Sequence, residues 1–236
     1  MGTRTRSRSE RGVTLLELMI AITLVAGLST GMLMAMRTSL LVYEKTAKKL
    51  ETNRRFVKTQ QILSSQIAAV MPVQGVCAGS EGQVVALPSF LAGSADMLRL
   101  VSSYSIAEGA RGYPQIVEFR VVPAERGAVR LVATERPYTG PQSTTPFCGN
   151  ATPLPGVSYV LAEHLAFCRF AYHEPFDQNR FVETPWLAFW DKPLLPAGIR
   201  IEMQSIAPEA GGLSALGLTV AIPVNRDPRI MYDDRS

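Results

Sequence analysis

Between Gly12 and Arg37 lie 24 residues, VTLLELMIAITLVAGLSTGMLMAM, in which Glu17 is the one ionisable side chain. A run of that length and character has few physical outcomes. As a helix rising about 1.5 Å per residue it reaches about 36 Å, enough to cross a hydrocarbon layer about 30 Å thick. It is too long for the apolar core of a cleaved secretory signal, and no small-x-small cleavage site follows it. Arg4, Arg6, Arg8 and Arg11 precede it. That basic flank places the N-terminus in the cytoplasm and carries the rest of the chain across the inner membrane.

Charge has to be located before it is interpreted. The chain of 236 residues has a net charge of +4, which by itself suggests a nucleic-acid partner. Residues 1–12 hold four Arg against Glu10, a net of +3, which leaves +1 for residues 13–236. The basicity sits on a short arm, so a basic face for phosphate contact loses its support and no nucleic-acid partner is expected. Hydrophobic residues at 47% and charged residues at 19% exclude a disordered chain. Three Cys in this length exclude a disulfide scaffold.

Glu17 is the anomaly inside the apolar run. A carboxylate at that depth costs at least about 2.5 kcal/mol on insertion scales unless it is paired. A plain signal anchor fits the length and leaves this residue unexplained. The segment Arg11-Gly12-Val13-Thr14-Leu15-Leu16-Glu17-Leu18-Met19 resembles the class III signal of type IV pilins and type II secretion pseudopilins. The resemblance implies cleavage between Gly12 and Val13 by a prepilin peptidase on the cytoplasmic side, and N-methylation of Val13. It also implies retention of the helix, with Glu17 as the fifth residue of the mature chain. Val13 stands where Phe or Met is commoner. Cleavage creates an ammonium on Val13, and Glu17 of one subunit can meet that group on a neighbour as helices stack with an axial offset. Opposite charges paired in a low-dielectric layer offset their desolvation, which makes Glu17 a registration device for assembly. In the family the K-type tip subunit usually lacks this Glu, so the resemblance points away from that subclass.

Residues 37–70 contain no Gly or Pro, and Pro72 supplies a stop. Met36, Leu40, Tyr43, Ala47, Leu50 and Val57 form one stripe, broken by Arg54. Phe56, Leu63, Ile67 and Val70 form a second. The pattern predicts one helix over 13–70, about 87 Å long. Its first half would pack on sister helices and its second half on the chain's own head. Beyond residue 72 the helical period ends and strand-like segments appear between turns: 97–104, 115–122, 128–134, 157–162, 165–172, 186–190, 198–206 and 216–223. Their spacing predicts antiparallel pairing. The expected fold is α+β and pilin-like: a long N-terminal helix, half transmembrane and half amphipathic, packed on an antiparallel sheet. The expected organisation is a basic leader at 1–12, a transmembrane helix at 13–36, an amphipathic continuation at 37–71, a β-rich periplasmic head at 72–224 and a tail at 225–236. Segments 73–95 and 136–156 are expected as loops.

A second, looser likeness lies between residues 162 and 203. Leu165, Phe167, Phe170, Tyr172, Trp186, Leu195, Pro196, Ile199 and Ile201 resemble the pattern in the C-terminal half of J-type minor pseudopilins. The W-type minor pilin of type IV pili shares the N-terminus and a β-rich head and is the alternative; a membrane-anchored periplasmic enzyme or binding protein is the remote one. The J-type likeness implies a non-enzymatic subunit of the pseudopilus tip that primes assembly and supports protein export. Its partners would be I-type and K-type minor pseudopilins, the major pseudopilin, the prepilin peptidase and the inner membrane.

The head offers little for catalysis. Cys77, Cys148 and Cys168 are far apart with no C-x-x-C, so no zinc site is expected. Cys77 and Cys148 fall in the two turn-rich loops and Cys168 in an apolar strand. The expected pairing is Cys77–Cys148, with Cys168 a buried thiol; the alternative is three unpaired thiols. His164 and His173 lack a chelating spacing and are read as structural. Asp177-Gln178-Asn179 resembles the opening of a calcium loop but lacks the Gly and the closing Glu, so it is read as a turn. No metal, cofactor or phosphate-binding loop is expected. Trp186, Phe189 and Trp190 are expected in the core.

Overall fold

A computed structural model of the chain describes residues 13–78, 84–87, 89–147, 152–175, 184–206 and 215–223. The leader 1–12, Cys148, Asp177, Asn179 and the tail 225–236 lie outside the described residues. The chain divides into two units, Met1–Leu50 and Glu51–Ser236, and one helix, α1 (Leu15–Ala68), contributes to both.

The start of α1 is chemically specified. Thr14 sits at the N-cap, where its Oγ1 accepts the Glu17 N–H at 3.3 Å, and its carbonyl accepts the Leu18 N–H at 3.2 Å. The first four N–H groups of a helix otherwise lack partners, and Thr-x-x-Glu is a capping-box arrangement. The helix ends by tightening: Val70 donates to the carbonyl of Ile67 at 3.2 Å, and Pro72 cannot continue. The expected span of 13–70 therefore contracts by two residues at each end, the usual extent of fraying. Gly27 and Gly31 do not break it. In the first unit every side chain described from Val13 to Ala47 is exposed.

The second unit is a helix–sheet layer. Phe56, Leu63 and Ile67 are buried along one stripe of α1. That is the second stripe read from the sequence, and burying Leu63 and Ile67 contributes about 1.5–3 kcal/mol each. The sheet has seven strands in sequential order, all antiparallel: β3 (Leu91–Gly93), β4 (Met97–Ser105), β5 (Ala110–Pro123), β6 (Val129–Pro137), β7 (Val157–His173), β8 (Gly198–Ser205) and β9 (Ala215–Ala221). Alternation along β4, β5, β7 and β8 sends Leu98, Leu100, Val117, Phe119, Phe170, Tyr172, Ile199 and Ile201 into one core with the helix stripe. Polar groups fix the helix on the sheet: Thr59 Oγ1 donates to the Leu161 carbonyl at 2.6 Å, Gln66 Nε2 to the Tyr104 carbonyl at 2.9 Å, and Met71 N–H to the Val101 carbonyl at 2.8 Å.

The opposite face of β4 and β5 is covered by a second cluster, Phe90, Val101, Ile116 and Leu154. A two-stranded sheet, β1 (Gly75–Ala78) with β2 (Val84–Leu87), and a 3₁₀ turn at Pro141–Phe147 lie together through Thr144, whose Oγ1 accepts the Val76 N–H at 2.9 Å. The stretch 73–95, expected as a loop, thus carries three short strands. They are three or four residues long, too short for an alternation to show.

Two further expectations change. The segments 157–162 and 165–172 are one strand, β7, which changes partners midway: Leu131 pairs with Ala162 and Val129 with Leu165, after which Leu165 pairs with Ser205. The switch occurs at His164, whose φ of 57° is rare for a non-glycine residue. The His164 carbonyl accepts the Ile206 N–H at 2.9 Å and thereby holds the bend. Past the bend, the edge of β7 left by β6 is taken by the β3–β4 turn and by segment 184–190, through Phe170 N–H to Ala95 O at 2.9 Å and a reciprocal pair between Tyr172 and Leu187 at 2.8 Å. That explains the second change: 186–190 is no strand but a strap making isolated bridges, Leu187 to Tyr172 and Trp190 to Gly93. Of its aromatics only Trp190 joins the core, at 2% exposed, whereas Phe189 is 55% exposed; Trp186 is half-buried.

Candidate functional site: the N-terminal segment

Val13, Thr14 and Glu17 are assembled by the helix start. Thr14 as N-cap places Glu17 in the first turn, where the helix dipole favours a negative charge by about 0.3–1 kcal/mol. Glu17 is thus a good residue for the beginning of a helix and a costly one for a membrane interior. Its flanks sharpen the contrast, since Leu15, Leu16, Leu18 and Met19 are all more than half exposed. The same dipole disfavours a positive charge at Val13, so an ammonium there gains from a nearby carboxylate. The arrangement can therefore hold an ion pair at a helix N-terminus surrounded by apolar side chains. Gly12, the other half of the expected cleavage site, lies outside the described residues.

Among the described residues, the cysteines and histidines of the head do not gather into a common cluster. Cys168 is a buried free thiol pushed up to about 12 by burial, which makes it a poor nucleophile. Cys77 is disulfide-bonded; Cys148, its expected partner, lies outside the described residues. His173 meets Thr184 Oγ1 at 3.3 Å and the Trp186 ring at 5.0 Å, and the Arg200 guanidinium lies 4.0 Å from the centroid of that same ring. His164 is at the β7 bend. Among the described residues no group of three or more His, Cys, Asp or Glu could hold a metal ion.

Sequence reasoning missed a buried charge cluster. Arg99 on β4 is fully buried and faces Glu118, its register partner on β5. Arg99 Nε donates to Glu118 Oε2 at 2.9 Å, and its Nη2 pairs with the same oxygen and donates to the Thr152 carbonyl at 2.8 Å. Arg120 Nε reaches Glu118 Oε1 at 2.9 Å. Burial pushes the Glu118 carboxyl up, and hydrogen bonds and charge from Arg120 and Arg99 more than reverse this, leaving it below the usual carboxylate value. The cluster ties the segment around Thr152 to the sheet. A signal existed: Arg99 and Glu118 each interrupt a strongly apolar strand, MLRLV and IVEFRVV.

A profile of the prokaryotic N-terminal methylation motif matches residues 7–35. The match covers part of the basic leader, Gly12, Val13, Glu17 and nearly all of the apolar run. The chain carries a prepilin-type methylation motif followed by a helix long and apolar enough to cross a membrane. No curated protein and no solved structure matches the chain.

Proposed function

We propose that the chain is a minor pseudopilin of a type II secretion system, of the J type, acting as a non-enzymatic subunit of the pseudopilus tip. The observation that carries this reading is the methylation motif at residues 7–35 joined, through a single helix, to an antiparallel β-sheet head. The motif supports a pilin-like or pseudopilin subunit; the J-type pattern around Leu165, Phe170, Trp186 and Ile199 supports the finer assignment. A W-type minor pilin of a type IV pilus shares the same motif and layout and is the alternative.

In this reading the peptidase cuts between Gly12 and Val13, and the Val13 amine is methylated. The subunit waits in the inner membrane with its head in the periplasm. On incorporation Glu17 pairs with the Val13 ammonium of a neighbour and sets the axial register. The head selects I-type and K-type partners at the tip and the major pseudopilin below, and an oxidised Cys77–Cys148 bridge fastens the β1–β2 region. No nucleic acid is involved.

Co-expression with a prepilin peptidase, followed by mass spectrometry of the intact chain, tests the processing step. The expected product begins at Val13 and carries one added methyl group; retention of residues 1–12 refutes the reading. A Glu17→Ala chain should be processed normally yet fail to enter the fibre and reduce export at least ten-fold. Neighbouring genes for I-type and K-type subunits support the secretion reading, and genes for pilus-specific minor pilins support the alternative.

A further inference from the structure

The exposed apolar surface of α1 does not stop at Met36, where the apolar run of the sequence ends. Leu40, Leu41, Val42 and Tyr43 are also exposed, Tyr43 at 73%, and as four consecutive residues they surround the helix. From Val13 to Tyr43 the helix is about 46 Å long, some 16 Å more than a typical hydrocarbon layer. Such an excess is relieved by tilt or by axial shift, and flanking anchors decide where the helix settles. The flank here is basic. Residues 37–49, RTSLLVYEKTAKK, hold Arg37, Lys45, Lys48 and Lys49 against Glu44, a net of +3. Arg37 and Lys45 are exposed and Lys49 is half-exposed. Among the described residues none of these three has an ion-pair partner, in contrast to Arg55, which pairs with Glu51 at 3.1 Å. Arg37, Lys45 and Lys49 fall within about 120° of one another around the helix, and Tyr43 adds the aromatic side chain favoured at a membrane–water boundary.

We propose that Arg37, Lys45 and Lys49, with Tyr43, form a collar that binds the phosphate headgroups of anionic glycerophospholipids in the leaflet on the head side of the membrane. This rests on the membrane-spanning reading of the helix. It adds an electrostatic consequence to processing. Residues 1–12 carry a net charge of +3, equal to that of residues 37–49. Before cleavage the two flanks balance. Loss of the leader removes the cytoplasmic basic flank and leaves the collar, so the mature subunit is held from the head side and its N-terminus is freed from the inner-leaflet headgroups. Arg37 lies about 12 Å deeper than Lys45 along the helix axis, a gap that its extended stem shortens and helix tilt closes.

The test uses the chain processed by a co-expressed prepilin peptidase, so that the basic leader is gone, in a membrane containing phosphatidylethanolamine and phosphatidylglycerol. Extraction with a lipid-retaining polymer keeps the annular lipid, which is then quantified by mass spectrometry. The ratio of phosphatidylglycerol to phosphatidylethanolamine around the wild-type chain should exceed that of the bulk membrane about two- to five-fold. It should return to the bulk ratio in the Arg37→Gln/Lys45→Gln/Lys49→Gln chain and remain raised in an Arg130→Gln control on the sheet. Bulk composition around the wild type, or enrichment that survives the triple substitution, overturns the collar. If the triple variant loses fibre incorporation while the wild type shows no lipid enrichment, the basic flank meets an acidic protein surface and the lipid proposal is wrong. Recovery of the chain outside the membrane fraction would instead refute the spanning reading beneath it.

Discussion

Arg99 and Glu118 show how a single pair can decide the behaviour of a sheet face. Each is a register partner of the other, and each is removed from water. Deleting the Glu118 charge removes the carboxylate that Arg120 and the buried Arg99 share, and breaking a buried pair costs about 3–5 kcal/mol. Glu118→Gln should therefore destabilise the chain by about that amount in denaturant titration. A double replacement, Arg99→Met with Glu118→Leu, should recover much of the loss, because well-packed apolar groups often substitute for a buried ion pair. The pH dependence has a definite sign. The folded Glu118 carboxyl lies below its ordinary value of 4.5, so its contribution is complete above that value and is lost as pH falls through the lower, folded one. Unfolding midpoints measured from pH 6 downward should drop below about pH 4.5 in the wild type more steeply than in the double variant. Cys168 makes a contrasting point: buried and pushed up to about 12, it should resist thiol reagents at pH 8 until the protein unfolds.

At the scale of elements, the strap at 184–190 and the β3–β4 turn close the sheet over the far half of β7. Their contact depends on a glycine for space and not for its backbone angles. A Cβ on Gly93 would run into the ring of Tyr172, whose hydroxyl donates to the carbonyls of Ser94 and Met97 at 3.1 Å. Burial and the Asp96 charge hold that hydroxyl in its protonated, donating form. Gly93→Ala should lower stability by about 1–3 kcal/mol through overpacking, read as a fall in the thermal midpoint, and adding Tyr172→Phe should not restore it, because ring carbons that Phe retains are among the clashing atoms. The core stripes of α1 and of β4, β5 and β8 were legible from periodicity, since helix and strand repeats differ. The strap was not, because its two bridges depend on a bend at His164 that no local pattern announces. The same bend made one strand read as two.

For the whole molecule, the two units answer to different solvents. The first exposes an apolar helix suited to lipid or to sister helices; the second carries its own core and a disulfide at Cys77. Loss of a disulfide from a domain of this kind typically costs about 2–5 kcal/mol. The Cys77→Ser chain in mild detergent should unfold at a lower temperature by circular dichroism, while its resistance to alkaline carbonate extraction, a property of residues 13–36, should not change. A Cys77→Ser chain with an unaltered midpoint would deny the bridge a structural role.

The sequence by itself determined the membrane-competent helix, the place of Glu17 near its start, the methylation motif and the α+β order of elements. Each of these rests on near neighbours in the chain or on a repeat of fixed period. Only the tertiary structure decided the partner change within β7, the short strands at 75–93, the burial of Trp190 with the exposure of Phe189, and the Arg99–Glu118–Arg120 cluster. Those depend on which distant segments share a register, and register is settled by the packing of both sheet faces at once.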